Sequence, residues 1–467
     1  MTVPSPDAWE LAAAIRAGET TAEETVADCL RKISEHDPAV NAFTVVLGEE
    51  ALEAARAADL RREEAVRAGE LATLPPLHGV PVSVKDHIWL AGAPATNGSV
   101  ALAGFVPDVD AVPVARLKQA GAIVVGKTNN PEFCYRGFTD NDLWGLTRNP
   151  WSLEHTPGGS SGGAGASVAY GATPIALGTD GGGSIRIPAA FCGVVGHAPT
   201  FGLVPKLPGF RGWPSLSVDG PLARSVRDAA LALAVVAGPA PEDPLSLPGP
   251  VGDLRAAVSR PVDWSRLRVA VSDDLGWAEV EPSVVDAFRA AVDTLADAGA
   301  RVEEGAPRTT YPVKLWREIA WPEGLASEGP LLAEWGDRFT RGTRKIIESG
   351  RVSARAYLEA QARRDELSAT WARFFESYDL LLAPSLPIPA FRTDAREPDG
   401  FHALAVPANL AGLPCCAVPT GLDPAGLPVG MQVLGPRWSD ATVLAAAATW
   451  QSLAPSMDLR VPPARAE

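Results

Sequence analysis

Basic clusters are absent from this sequence. Its 467 residues carry 56 acidic side chains against 41 basic ones, a formal net charge of −15, and no run of lysines or arginines interrupts that balance. Proteins bind nucleic acid through basic surfaces that neutralise phosphates, so the composition argues against a nucleic-acid partner. Lysine itself is scarce, and Lys85 stands out because it lies in an apolar run.

Long apolar runs and a secretion signal are also missing. The longest run of alanine, leucine and valine, Ala229–Ala237, is far shorter than the roughly 20 residues that cross a bilayer. Residues Met1–Glu10 have neither the basic nor the apolar part of a signal peptide. From these absences we expect a cytoplasmic protein without a membrane partner.

Cysteine and histidine occur without metal-binding or disulfide spacing. The five cysteines are odd in number, and Cys415 and Cys416 are adjacent, which suits neither a zinc site nor an ordinary disulfide. The six histidines are scattered, with no acidic residues at ligand spacing. We therefore predict buried, reduced thiols, no metal and no cofactor.

Strand-like and helix-like segments alternate along the chain. Leu77–Lys85 is typical of a strand that ends at Lys85, and Ala122–Val125 is typical of a second strand after a short helix. A mostly helical region, residues 313–377, is followed by further strand-like segments near 380–383, 416–418 and 429–433. The pattern predicts an α/β fold. Because strands resume so late, we expect one interleaved domain.

Two serines lie among glycines. Ser160 occupies the segment Gly158–Gly163, and Ser184 follows three glycines in Asp180–Pro188. Glycines leave a hydroxyl and the neighbouring backbone N–H groups exposed, and converging N–H groups can form an oxyanion hole. The predicted donors are the N–H groups of Gly181, Gly182, Gly183 and Ser184. Although Gly-Gly-Gly-Ser also occurs in flexible linkers, the apolar residues after Ser184 argue against a solvated tether.

Ser160 also satisfies the G-x-S-x-G pattern of a nucleophile elbow. An elbow serine follows a hydrophobic strand and needs a histidine downstream. Ser160 instead follows the segment Pro150–Pro157, and neither downstream histidine, His197 or His402, has a catalytic context. The elbow is therefore the disfavoured alternative for Ser160.

Lys85 is the candidate base for these serines. An ordinary lysine has a pKa of about 10.4 and is charged at neutral pH. Burial lowers the pKa of a lysine by roughly 3 to 5 pH units, so Lys85 can act as a base only in a nearly dry site. Ion pairing with Asp86 or Asp180, without any chemistry, is the alternative. The residues alone leave both interpretations open.

Residues Gly121–Thr128 match the phosphate-loop pattern G-x-x-x-x-G-K-[ST] letter for letter. A phosphate loop needs a polar or glycine-rich turn that exposes its N–H groups, followed by a helix. Here four apolar residues, Ala122–Val125, favour a strand, and Asn129–Pro131 follows in place of a helix. A nucleotide-binding function is therefore disfavoured.

Together these segments resemble the amidase signature family. The similar segments, which cover most of the chain, are 37–43, 79–86, 126–129, 156–163, 178–188, 219–224, 378–384 and 426–432. The resemblance implies a single α/β domain over residues 1–467, with a large mixed sheet sandwiched between many helices. It places a Ser/Lys signature core at about residues 79–225 and variable pocket segments at about 310–340 and 401–416.

The resemblance also implies a role for each candidate residue. Ser184 is similar to the family's nucleophile, and Ser160 is similar to its relay serine, which follows a cis peptide bond. Lys85 is similar to its terminal base. The four N–H groups at 181–184 would form the oxyanion hole, and Asp180 and Arg186 would brace their loop.

The function implied by the resemblance is hydrolysis of a small-molecule amide to a carboxylate and ammonia or an amine through an acyl-serine. One alternative within the family is the glutaminase component, or A component, of a glutamyl-tRNA(Gln) amidotransferase, which releases ammonia from glutamine. Gly181, where many members have threonine, and the tryptophan-rich segment Trp316–Trp335 favour a stand-alone enzyme. A non-catalytic binding protein on the same scaffold is more remote, because all three catalytic positions are intact. The amide cleaved and the oligomeric state stay open, a homodimer included.

Overall fold

The backbone is organised around strands that pair into one sheet. The computed structural model describes residues 6–454 and Met457. Within them the strands are β1 (Phe43–Val46), β2 (Pro81–Lys85), β3 (Ile123–Thr128), β4 (Ile175–Asp180), β5 (Val195–Ala198), β6 (Val218–Ala223), β7 (Val269–Val271), β8 (Val302–Glu304), β9 (Leu380–Pro384), β10 (Cys415–Leu422) and β11 (Pro428–Leu434). They pair in the order β1-β3-β2-β4-β6-β5-β10-β11-β9-β7-β8, with parallel and antiparallel neighbours. The predicted large mixed sheet is confirmed.

Helices cover both faces of this sheet. They are α1 (Ala8–Ala17), α2 (Ala22–Val40), α3 (Gly48–Ala68), α4 (Val112–Gln119), α5 (Gly162–Ala169), α6 (Arg186–Cys192), α7 (Val226–Val236), α8 (Leu254–Ala257), α9 (Pro282–Asp297), α10 (Val313–Trp335), α11 (Arg341–Ser349), α12 (Ala354–Ser377), α13 (Val406–Ala411) and α14 (Asp440–Leu453). The predicted helical region is α10 to α12, and the late strands are β9, β10 and β11. The α/β prediction is thus confirmed. Among the described residues, every helix is too short or too polar to cross a membrane.

Side chains of the strands alternate between two apolar layers. On β9, Leu380 and Leu382 belong to a cluster that includes residues of α7, α9 and α14. Leu381 and Ala383 belong to a second cluster with α12 and α13. Successive side chains of a strand point to opposite faces, so a continuous apolar run is what a sheet covered on both faces requires. The five cysteines are buried and unpaired, as predicted.

Two parallel strands in the middle of the sheet end at the same edge. β2 pairs with β4 in parallel, and β2 ends at Lys85 whereas β4 ends at Asp180. Side chains and loops at the carboxyl ends of parallel strands meet outside the sheet, which is where α/β proteins place their ligand sites. The fold therefore brings Lys85 towards the glycine loop that follows β4.

The phosphate-loop look-alike is a buried strand, as its apolar residues predicted. β3 extends from Ile123 through Thr128, and its N–H groups are committed to sheet pairing. The Lys127 side chain is fully buried, and its Nζ donates to the carbonyl oxygens of Asp86 (3.1 Å) and Ile88 (2.6 Å). This segment has no free N–H groups arranged to hold phosphate, and the nucleotide-binding alternative is wrong.

Candidate active site

Lys85 is fully buried at the end of β2 and contacts two hydroxyls. Its Nζ lies 2.7 Å from Ser160 Oγ and 2.7 Å from Thr179 Oγ1. Burial lowers the pKa of Lys85 below its usual value, although Cys134, Asp219 and Asp180 act in the opposite direction. The environment is the nearly dry one that a neutral lysine requires.

The two carboxylates proposed as ion-pair partners of Lys85 are engaged elsewhere. The Asp86 side chain accepts hydrogen bonds from Thr96 Oγ1 (2.8 Å) and the Gly98 N–H (3.2 Å). The Asp180 side chain is bound to Arg186. The purely structural alternative for Lys85 therefore loses its partners.

Ser160 sits in a tight turn immediately before α5. The Gly159–Ser160 peptide bond is cis, as the family resemblance implied. The neighbouring Ser161 hydroxyl donates to the Thr179 carbonyl (3.1 Å) and accepts from the Thr179 N–H (3.2 Å). This pair of bonds fixes the turn against β4, and so holds the Ser160 hydroxyl beside Lys85.

Ser184 lies in the loop between β4 and α6, and its backbone is tied to the Ser160 turn. The Ser161 N–H donates to the Ser184 carbonyl at 3.1 Å. Ser184 and Ser160 line the same cavity. Within the described residues, the Ser184 hydroxyl makes no hydrogen bond, so its lone pairs face that cavity. Hydrogen bonds between catalytic groups are often long in a free enzyme and tighten when substrate binds.

Asp180 and Arg186 form a buried ion pair that closes the Ser184 loop. Arg186 Nε and Nη2 each donate to Asp180 at 3.0 Å, and both side chains are fully buried. Burial alone would raise the pKa of Asp180, but the Arg186 guanidinium lowers it to about 2. Asn409 of α13, which the sequence analysis missed, donates to the same carboxylate at 3.0 Å.

The glycine loop offers fewer free N–H groups than the sequence predicted. The Gly183 N–H donates to Asp180 Oδ1 at 2.7 Å, and this bond uses its single hydrogen. The N–H groups of Gly181, Gly182 and Ser184 have no acceptor within the described part of the chain. The donor set that we carry forward for an oxyanion is therefore Gly181, Gly182 and Ser184, without Gly183.

Two tryptophans, also missed from the sequence, pack directly on this loop. Trp316 of α10 donates its indole N–H to the Gly181 carbonyl at 2.6 Å. A Cβ on Gly181 would lie 2.5 Å from Trp213 Cε3, and one on Gly182 would lie 2.9 Å from Trp316 Cζ2. Trp213 thus occupies the space that a threonine at position 181 would need.

Gly181→Ala should therefore distort the loop. The Trp213 ring is held by Tyr135 and Trp316, each with ring centroids 5.3 Å away, so the added methyl displaces the loop. Misplacing one oxyanion donor typically costs about 10²–10³ in kcat, and we expect a loss of that order. Steady-state kinetics should show partial recovery in Gly181→Ala/Trp213→Ala. Gly104→Ala, whose Cβ meets nothing within 4 Å, is the control; equal activity of Gly181→Ala and this control would contradict the proposed role.

Two cavities meet at Ser184. The Ser160-side cavity encloses about 530 Å³, and its lining includes Ser160, Thr179, Lys206, Trp213 and Asp219. The α10-side cavity encloses about 590 Å³, and its lining includes Tyr135, Gly182, Trp316, Phe401 and His402. Each of the predicted segments 133–145, 310–340 and 401–416 contributes to the second cavity. Residues 87–89 and 206–219, which the sequence analysis did not place in a pocket, line the first.

Neither histidine proposed for the elbow serves Ser160. His197 of β5 is buried, and its Nε2 lies 3.1 Å from Asp440 Oδ1; it lines neither cavity. His402 lines the α10-side cavity, where burial lowers its pKa to about 4, so the ring is neutral. Since Ser160 instead contacts Lys85, the elbow alternative is not supported.

His197→Gln should cost stability without costing chemistry. The His197–Asp440 contact is buried, and leaving Asp440 without it should cost about 1–3 kcal/mol, which a thermal melt would register as a lower Tm. Because the ring is remote from Ser184, kcat/KM of the folded protein should stay close to its original value. A well-folded His197→Gln protein without turnover would point to a histidine base and against Lys85.

Comparison with known proteins agrees with this geometry. The family model described as Amidase matches residues 24–444. The chain is 37% identical over 461 residues to the glutaminase component (the A component) of the glutamyl-tRNA(Gln) amidotransferase of Chloroflexus aggregans, a similarity that covers 92% of this chain and 93% of that protein.

Solved structures are similar over nearly the whole chain. A bacterial aryl acylamidase of the amidase signature family has a TM-score of 0.88 at 30% identity, covering 96% of each chain. The corresponding amidotransferase component of Thermotoga maritima has a TM-score of 0.76 at 30% identity, covering 95% of each chain.

Proposed function

The chain belongs to the amidase signature family, and we propose that it is a stand-alone hydrolase that cleaves an amide C–N bond through an acyl-enzyme on Ser184. The observation that carries the proposal is the 2.7 Å contact between the buried Lys85 Nζ and Ser160 Oγ, beside the cavity that Ser184 also lines. A lysine buried without an ion-pair partner is costly unless it is neutral. Such a neutral amine is the base that a serine nucleophile needs.

The proposed reaction has two halves. In the first, Ser184 Oγ attacks the amide carbon while its proton passes to Ser160 Oγ, whose own proton passes to Lys85 Nζ. The N–H groups of Gly181, Gly182 and Ser184 hold the oxyanion. The proton then returns through Ser160 to the amide nitrogen, the C–N bond breaks, and ammonia or an amine leaves. In the second half, water attacks the acyl-serine by the same proton route and releases the carboxylate.

The second candidate is the glutaminase component of a tRNA amidotransferase. It is favoured by the 37% identity to the protein from C. aggregans. Against it stand the higher TM-score with the aryl acylamidase, 0.88 against 0.76, and the tryptophans that α10 adds beside the glycine loop. Such a component would act on glutamine for a partner, whereas a stand-alone enzyme acts by itself.

An amide panel on the purified chain separates the two candidates. Aliphatic, aryl and peptide-type amides and glutamine are incubated with the chain alone, and released amine or ammonia is measured. We expect turnover of one or more simple amides and none of glutamine. Turnover of glutamine alone, or activity only after a partner protein is added, would favour the amidotransferase. If the folded chain is inactive towards every amide, the proposal is overturned.

A further inference from the structure

Lys206 and Asp219 carry opposite charges on the Ser160-side cavity, and no step of the proposed hydrolysis uses them. Asp219 of β6 pairs with Thr179 of β4 across antiparallel strands, so the two side chains lie side by side. The Thr179 hydroxyl in turn contacts Lys85 Nζ at 2.7 Å. Lys206 lies in the segment between β5 and β6. The pair is therefore adjacent to the reacting groups.

The Asp219 carboxylate has no hydrogen-bond donor within the described part of the chain. Its residue is only 4% exposed, and its remaining surface faces the cavity. Burial raises the pKa of Asp219 to about 6, although Lys206 acts to lower it. An enclosed carboxylate without a donor is unfavourable, so a ligand with an N–H group would satisfy it.

The Lys206 ammonium is held away from Asp219. Its Nζ donates to Ser217 Oγ at 2.8 Å, and the Ser217 hydroxyl donates to the Trp213 carbonyl at 3.0 Å. Ser217 therefore accepts from Lys206, and the ammonium keeps two further hydrogens. Among the described residues no ion pair closes the gap between Lys206 and Asp219, which leaves room for a group that bridges them.

The other groups of this cavity add no charge. His87 contacts Asn97 Oδ1 through Nδ1 at 3.0 Å, and burial lowers the pKa of His87 to about 4, so it is neutral at pH 7. The rest of the lining includes the rings of Trp89, Phe133, Phe210 and Trp213. With one cation and one anion, the lining balances to zero charge and favours an uncharged polar ligand group.

The direction of proton transfer places the leaving group on this side. Ser160 lines the Ser160-side cavity but not the α10-side cavity, whereas Ser184 lines both. The proposed proton returns from Ser160 to the amide nitrogen, so that nitrogen and its substituent face the Ser160-side cavity. The acyl part then lies on the α10 side.

We propose that the Ser160-side cavity selects amides whose nitrogen carries a short arm ending in an uncharged carboxamide or ureido group. The N–H of that group donates to Asp219, and its carbonyl accepts from Lys206. The inference rests on the proposed hydrolysis through Ser184 and adds the identity of the leaving amine.

The test uses four substrates with one acyl group and four matched amines. The acyl group is that of the best substrate in the amide panel. The amines are glycinamide, glycine, ethylenediamine and propylamine, which present a carboxamide, a carboxylate, an ammonium and a methyl group at similar length. For the unmodified enzyme we expect kcat/KM for the carboxamide to exceed that for the methyl by roughly tenfold to a hundredfold, as charged hydrogen-bond partners give. Equal rates for all four substrates would overturn the inference.

Two variants should shift the preference in opposite directions. Asp219→Asn leaves Lys206 unopposed, so the carboxylate substrate should gain relative to the methyl one, and the carboxamide should lose its advantage. Lys206→Met leaves Asp219 unopposed, so the ammonium substrate should gain. Each rate is divided by that of the methyl substrate in the same variant, which cancels any loss of folded enzyme.

The outcomes distinguish this inference from the proposed function. Hydrolysis with the same ranking in all three proteins would overturn the assignment of Lys206 and Asp219 while leaving the amidase proposal intact. Absence of hydrolysis for every amide, together with no acylation of Ser184, would overturn both.

Discussion

Ser184→Ala should abolish amide hydrolysis. Its hydroxyl is the proposed attacking atom, and removal of a serine nucleophile typically lowers kcat by a factor on the order of 10⁴–10⁶. The oxyanion donors are backbone groups and survive the substitution, so substrate binding should persist. Steady-state kinetics with the best amide, and equilibrium binding of that amide, would show lost turnover with retained affinity.

A hydroxyl in the same glycine-rich region provides the control for Ser184→Ala. Ser167 of α5 donates to the Ala164 carbonyl at 2.9 Å and lines neither cavity. Ser167→Ala should keep its turnover. Near-normal activity of the Ser184→Ala protein, with contaminating enzyme excluded by a second purification, would eliminate the acyl-serine mechanism.

Lys85→Met should have an effect of similar size and should also change the pH profile. The pKa of Lys85 is lowered chiefly by burial, so its neutral fraction at a given pH exceeds that of an ordinary lysine. The base works only when neutral, and kcat/KM should therefore fall as pH falls through this lowered pKa and rise above it. Methionine keeps much of the volume but accepts no proton. We expect a loss of about 10³-fold or more and no remaining acid limb.

The chain contains a second buried lysine that serves as the matched control. Lys127 lies on the neighbouring strand β3, donates to backbone carbonyls and lines neither cavity. Lys127→Met should lower the Tm, because those carbonyls lose a charged donor, but the acid limb should remain. An unchanged acid limb in Lys85→Met, or its loss in Lys127→Met, would assign the titration to another group.

Much of this site could be predicted because it is local in sequence. The strand ending at Lys85 and the glycine segments around Ser160 and Ser184 carry their geometry in their own residues. Asp180 and Arg186 are six residues apart, so one loop suffices to bring the two charges together. Burial of Lys85 followed from its apolar neighbours on a central strand.

What the sequence could not supply comes from distant segments. Trp316 and Asn409 reach the glycine loop from α10 and α13, and no pattern of spacing links them to Gly181 or Asp180. Asp219 and Lys206 were likewise inconspicuous until β4 and β6 were seen to pair. The availability of each N–H group also depends on folded contacts. Three glycines before a serine predicted four donors, but the Asp180 side chain captures that of Gly183.

The most direct test of the account is the position of a covalent adduct. The purified chain is treated with a fluorophosphonate, digested, and sequenced by tandem mass spectrometry. The adduct should lie on Ser184, and Lys85→Met should suppress its formation, because the nucleophile then has no route for its proton. An adduct on Ser160, or equal labelling of Ser184 in the presence and absence of the Lys85 amine, would contradict the proposed relay.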